Sequence, residues 1–268
     1  MASCLAASMV FGCTGAATHE SAGPRAGAER SRQLYQYSLL DALLAGAFDG
    51  ALTFGAVKQH GDFGLGTFNA LDGEMVMYDG AVYRVRGDGS VRVVPDGELT
   101  PFSMAVFFQP TQTIELAAVG SLDELRAELG RRLRPNRGYA IEVRARFSKL
   151  SARAPDAGHK PYPTLTAHLA EHQRKFALAD TAGVAVGFWL PAFLARVNAP
   201  GLHLHYLADD RRSGGHVLDV NSTGPVTVRV MELSGVTIEL GTDGRLDDVD
   251  LSGDRHDEVR RVETGSPK

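Results

Sequence analysis

Cysteine is nearly absent from this chain. Among 268 residues only Cys4 and Cys13 carry a thiol, and both stand close to the N-terminus. The rest of the chain therefore has neither a disulfide framework nor a thiolate ligand for a metal. A basic excess is missing too: 28 Lys and Arg stand against 32 Asp and Glu, for a net charge of −4. Nucleic acid is thus a poor candidate partner, because phosphate binding needs a basic stripe. No internal repeat and no run long enough for a transmembrane helix occurs, which sets aside solenoids and helical membrane proteins. What is present is 44% hydrophobic residues, ample for a sizeable core in one large or two modest domains.

The N-terminus reads separately from the remainder. Residues 1–18 are small and apolar, and Val10-Phe-Gly-Cys13 resembles the lipobox of bacterial lipoproteins. No basic residue precedes Arg25, so the positive stretch that opens a signal peptide is lacking, as it would be if the start codon were placed too far downstream. The reading preferred here is export, as a lipoprotein anchored at Cys13 or a secreted protein. The alternative is a disordered extension on a cytoplasmic protein. Residues 1–31 then form a signal-like segment and a linker without a core.

From Ser31 onward the pattern is that of a folded chain. Leu34, Tyr37, Leu40, Leu43 and Leu44 fall at helical spacing and predict a helix over 33–46, ending near Gly46. Asp79-Gly80 and Asp88-Gly89 sit between alternating runs and predict hairpins. Ser121 with Glu124 reads as a capping box opening a helix to about Leu133, closed by Pro135. Strands are expected at 139–147, 184–189, 226–233 and 236–240, with a short helix at 164–171. The fold class is α+β: two packed β-rich units of mixed or antiparallel sheets with a few helices. One spans 32–155 and the other, metal-binding, 156–268, joined around Arg153 to Pro163.

The chemistry begins with His203, His205 and His216. Leu202, Leu204 and Tyr206, then Val217, Leu218 and Val220, read as two strands around a turn rich in Asp, Arg, Ser and Gly. Side chains alternate along a strand, so His203 and His205 share one face and Leu202 and Leu204 the other. With 209–215 as the loop, His216 lies opposite His205, at a facing Cβ separation of about 4.5–5.5 Å. An isolated His-x-His pair is commonly a solvated polar face. The third histidine, placed behind Gly214-Gly215, turns the reading to a metal site. Three imidazoles without a thiol suit zinc, while copper, iron and nickel also accept imidazole. Three protein ligands leave coordination positions open, as catalytic centres do.

These residues resemble a known family. The run 201–219 is similar to the signature of the alpha-acetolactate decarboxylases, and so is Gly66-Thr-Phe-Asn-Ala-Leu-Asp-Gly-Glu-Met75. Gly138-Tyr-Ala-Ile141, Arg153 with Lys160-Pro-Tyr162, and Gly187-Phe-Trp-Leu-Pro191 also match, in family order, across roughly residues 32 to 240. The resemblance implies zinc-dependent decarboxylation of 2-acetolactate to acetoin and CO2, through a metal-stabilised enediolate protonated on one face. It implies no organic cofactor. The family's active-site glutamate falls on Glu74, which the local pattern alone would leave exposed at a strand start. Its active-site arginine falls on Arg153, although Pro155 departs from the family pattern, which places that proline one residue later. A second catalytic glutamate matches Glu263, with Glu258 as the alternative in a charged tail that otherwise reads as an exposed or disordered helix. Thr67 stands as a substrate contact or as the cap of a turn.

In that scheme zinc polarises the substrate ketone, Arg153 stabilises negative charge, and Glu74 or Glu263 delivers the proton. The expected partners are the small-molecule substrate and a second copy of the chain in a homodimer. Two other readings stand beside this one. A cupin-like metal oxygenase usually adds a Glu a few residues after its His-x-His, and 206–212 holds none. A non-catalytic metal-binding module would need neither Glu74 nor Arg153 near the metal.

Overall fold

The computed structural model describes residues 32–264, besides Met1. The signal-like segment with Cys4 and Cys13 lies outside the described residues. Strands β1 (Gln33–Tyr37), β2 (Leu52–Thr53), β3 (Phe63–Thr67), β4 (Glu74–Tyr78), β5 (Ala81–Val85), β6 (Val91–Val93), β7 (Leu99–Thr100) and β8 (Ser103–Val106) come first. Two short helices, α1 (Leu40–Leu44) and α2 (Phe54–Val57), interrupt them. Next come β9 (Gln112–Leu116), α3 (Leu122–Gly130), β10 (Tyr139–Pro155), α4 (Leu165–His172) and β11 (Gln173–Leu190). The chain closes with β12 (Gly201–Ala208), β13 (Gly214–Ser222), β14 (Val226–Glu232), β15 (Gly235–Glu239) and α5 (His256–Thr264).

Two large sheets result, giving the α+β architecture. The first has order β15-β1-β8-β3-β4-β5-β6, and the second β11-β12-β13-β10-β14-β9. In the second, β10 also pairs with β11 along nearly its whole length, so β10, β11, β12 and β13 close a ring. The ring encloses one core, with Leu150, Leu202, Leu204 and Tyr206 among its members. A second core lies between the sheets and includes Val76, Val186 and Phe188. A third covers the far face of the first sheet with Phe54, Phe68, Met75 and Met77. Strand alternation sorts residues among these layers: Met75 and Met77 go to the far face, while Val76 and Tyr78 face the second sheet.

Several expectations hold locally. Asp79 and Gly80 have φ of 50° and 74°, the two left-handed positions of a tight hairpin turn between β4 and β5. Ser121 Oγ accepts from the Glu124 amide at 3.1 Å, but the Glu124 carboxylate reaches the amide of Gly120 rather than that of Ser121. The helix predicted over 33–46 is instead β1 followed by α1. Residues 34–37 are buried on both faces of the strand, and Leu34 and Tyr37 there combine with Leu40, Leu43 and Leu44 of the helix to imitate one helical stripe. Both β10 and β11 run far beyond the segments expected. The sheets also exchange the chain at 107–111, not at 155: Pro155 ends β10 inside the second sheet, and β15 returns to the first.

Gly187 shows how tightly this arrangement is built. A Cβ there would lie 1.9 Å from the carbonyl oxygen of His203, on the strand that carries two of the histidines. Gly187→Ala is expected to destabilise the protein by about 1–3 kcal/mol, the range for an overpacked core, read from urea unfolding. A variant as stable as the wild type would show that β11 and β12 are not held this close.

Candidate active site

The register of the second sheet brings the histidines together. On β12, Leu202, Leu204 and Tyr206 point into the ring core, so His203 and His205 face the first sheet. His205 pairs with His216 on β13, and His216 pairs in turn with Arg153 on β10. That last match depends on a bulge: between Ser151↔Asp219 and Ala152↔Val217 the partner strand carries one extra residue, Leu218. Without it Arg153 would stand opposite Val217, one residue out of phase, and miss the histidine row.

His203 Nε2, His205 Nε2 and His216 Nδ1 form a triangle with sides of 3.2, 3.1 and 3.4 Å. Tetrahedral coordination at an ordinary zinc–nitrogen distance separates ligand nitrogens by about 3.3–3.4 Å. The tautomers agree with one ion at the centre. His205 Nδ1 donates to the carbonyl oxygen of Met75 at 2.8 Å, which leaves a lone pair on Nε2. His216 Nε2 lies 3.4 Å from the carbonyl oxygen of Glu263, leaving Nδ1 free to ligate. His203 Nδ1 lies 3.6 Å from Glu263 Oε2. His205 and His216 thus turn their outer nitrogens to carbonyl acceptors and their inner lone pairs to one point, while His203 Nδ1 is buried without a hydrogen-bond partner. Burial pushes all three imidazoles below their ordinary value, His203 to about 3, so they are neutral at physiological pH. These three residues can hold one metal ion.

Around the triangle stand the acids and the arginine. Glu74 opens β4 on the facing sheet, and its Oε2 lies 3.5 Å from His205 Nε2. Burial raises its carboxyl to about 7, against the pull of Arg153, while Glu263 adds to the rise. Glu263, on α5, is likewise raised to about 7 by burial, with Arg153 and Arg126 opposing. Arg153 is 3% exposed; one guanidinium nitrogen bonds Gln173 Oε1 at 3.3 Å, and its Nε has no partner. Burial lowers its pKa, and the two glutamates resist that shift. A buried arginine with an unsatisfied donor beside an open space is a receptor for an anion.

All six residues line one cavity. Its walls are apolar and include Leu40, Leu65, Leu71, Leu169 and Val262. Glu263, not Glu258, lies at the cavity; Glu258 is occupied by Arg255 and Thr166. Thr67 also lines it, but its hydroxyl donates to the carbonyl of Gly73 at 2.8 Å and so ties the turn before Glu74. Sequence reasoning missed the apolar wall and Gln173. Leu40, Leu165 and Leu169 signalled burial by helical spacing, yet nothing in that spacing says that the buried face meets a cavity.

Three histidines that could hold a metal ion, flanked by two carboxyls and an arginine in a largely apolar cavity, have the donor set of a catalytic metal site more than that of a structural one. The chain belongs to the alpha-acetolactate decarboxylase family, whose model matches residues 34–253. It is 35% identical over 268 aligned residues to an alpha-acetolactate decarboxylase of Methanosarcina mazei, covering 94% of this chain and 92% of that protein. A Bacillus subtilis alpha-acetolactate decarboxylase is 33% identical, over 88% of this chain and 92% of its own. The crystal structure of the enzyme from Bacillus subtilis strain 168 superposes with a TM-score of 0.83 at 31% identity, covering 87% of this chain and 100% of that one.

Because burial holds the imidazoles neutral, protons should compete with the metal only weakly. Three ordinary histidines would lose about three orders of magnitude in metal affinity between pH 8 and pH 5.5. Here the loss is expected to be far smaller, read by metal titration of the stripped protein. The same depression makes the metal-free fold lose stability as pH falls from 6.5, the ordinary imidazole value, toward 3. A steep loss of affinity centred on pH 6.5 would contradict the burial of these rings.

Proposed function

We propose that the protein is a zinc-dependent decarboxylase that converts 2-acetolactate to acetoin and CO2. One observation carries the reading: Glu74, Arg153, the three histidines of one hairpin and Glu263, from four distant segments, line a single cavity. Family membership supplies the substrate class, and the donor set, three neutral nitrogens without a thiol, suits zinc.

When bound, the zinc ion supplies Lewis acidity that draws electron density from the substrate ketone. The remaining work falls to the chain. Arg153 meets the substrate carboxylate and keeps it oriented through the unsatisfied donor described above. As the bond to the carboxylate breaks, CO2 leaves and its electron pair stays behind as an enediolate. Acetolactate and one proton become acetoin and CO2, so the site must hold a proton at neutral pH. Glu74 and Glu263, both raised to about 7 by burial, can do so, and each is anchored on a different wall. The apolar walls exclude water, which strengthens every charge interaction inside and leaves the carboxyls as the proton source.

His205→Ala is expected to remove both zinc and acetoin formation. Arg153→Ala and Glu74→Gln should retain zinc while turnover falls by roughly two to four orders of magnitude, the range for a lost acid-base or charge-stabilising group. Metal analysis paired with an acetoin assay separates the two outcomes. Wild-type turnover in both of the latter variants would sink the reading.

A further inference from the structure

Glu74 stands at the end of a strained segment. Ala70 and Leu71 have φ of 59° and 56°, and Gly73 follows at 98°. Successive left-handed non-glycine residues are uncommon and persist only where the surroundings hold them. Part of that hold is backbone, with the Ala70 amide donating to the Phe48 carbonyl and the Gly158 amide to the Ala70 carbonyl, and part is the Asn69 side chain, which accepts from the Gly50 amide at 2.9 Å and donates to the Gly50 carbonyl at 3.0 Å. Asp72 adds an ionic hold, since its carboxylate is gripped by Arg84 at 2.5 Å, with Arg86 at 3.4 Å.

Arg84 is an unusual residue for this place. It is 6% exposed, it also bonds Glu98, and its guanidinium lies 4.0 Å over the ring of Phe68. In register it faces Met75, on the side of the sheet that packs Phe68 and Met77, whereas Glu74 begins the cavity wall. Arg84 therefore cannot touch substrate. It reaches the site only through Asp72, which a single glycine separates from Glu74. The Thr67 hydroxyl holds the Gly73 carbonyl at 2.8 Å, and the Arg84 grip on Asp72 is the second hold on the same turn; without it the turn can shift and carry the carboxyl away from His205. A displacement of an ångström at a proton-transfer group costs turnover heavily.

We propose that Arg84, acting through Asp72, is a positioning residue that sets the Glu74 carboxyl against the metal centre. This rests on the reading of Glu74 as an acid-base group. The zinc-loaded variant Asp72→Asn should fold, keep its zinc and bind substrate with little change in KM, while kcat falls by about 10–100-fold, as for other groups that orient a site residue. In the Glu74→Gln background the same change should cost almost nothing further, because there is no carboxyl left to misplace. Arg92→Ala, which removes one of the two arginines on Glu98 and leaves Arg84 on Asp72, should leave kcat unchanged. In an Arg84→Ala variant, added guanidinium ion should recover part of kcat, which a loss of general stability would not allow. Should Asp72→Asn not fold, Arg84→Lys serves the same comparison.

Wild-type kcat in Asp72→Asn or Arg84→Lys overturns the proposal, as does a full additional loss in the Glu74→Gln background or a loss of zinc in place of kcat. Wild-type turnover in Glu74→Gln alone overturns the role of Glu74 itself, so the two failures are distinguishable.

Discussion

His205 donates through Nδ1 to the carbonyl oxygen of Met75, and the site depends on that one bond between the sheets. It fixes the tautomer that leaves Nε2 free to ligate. It brings the start of β4 against β12, so Glu74, the residue before Met75, arrives 3.5 Å from the same ring. The bond also satisfies a carbonyl on the first sheet with a side chain from the second. Packing of the two sheets and assembly of the metal centre are thus one event, and neither can be loosened without the other.

Burial is the second constraint, and it acts on acids and bases in opposite directions. The same apolar walls that push three imidazoles down push two carboxyls up, so the cluster sits near neutral pH with few net charges of its own. Arg153 is the exception: burial lowers its pKa too, but a guanidinium starts so high that it stays a cation. A cavity in that state has little negative charge to repel an anionic substrate and one permanent cation to receive it. It also has protons stored on groups that would be bare carboxylates in water. Environment more than residue identity makes these side chains useful for a proton-consuming reaction.

The histidine row was legible in the sequence because strand alternation has a period of two and a hairpin loop fixes the facing partner. His205 opposite His216 follows from those rules alone. Arg153 was not legible in that way, since its place depends on a bulge at Leu218 that no composition signals, and only family resemblance found it. Glu263 came from resemblance too: α5 shows a charged surface helix, and its inward residues matter only once the sheets are assembled. The segment 33–46 misled for a physical reason. A strand buried on both faces loses its alternation, and Leu34 and Tyr37 on it run on into Leu40, Leu43 and Leu44 of a true helix, so two elements read as one stripe.

The distribution of the site over the chain carries a further consequence. The metal ligands all lie on one hairpin, β12 and β13, whose geometry is local and rigid. The groups that would move protons lie elsewhere, one on the first sheet and one on the C-terminal helix. Three histidines on one hairpin can meet an ion whether or not the acids are in place, so metal binding alone says little about catalysis. The acids meet the ion only when three separate parts of the chain close over it, and their raised pKa values exist only in that closed state. Catalytic competence is therefore a property of the packing between layers, which also fixes the tautomer of His205 and buries the three rings. The apolar core between the sheets, with Val76, Val186 and Phe188 at its centre, is accordingly as much a part of the chemistry as the histidines are.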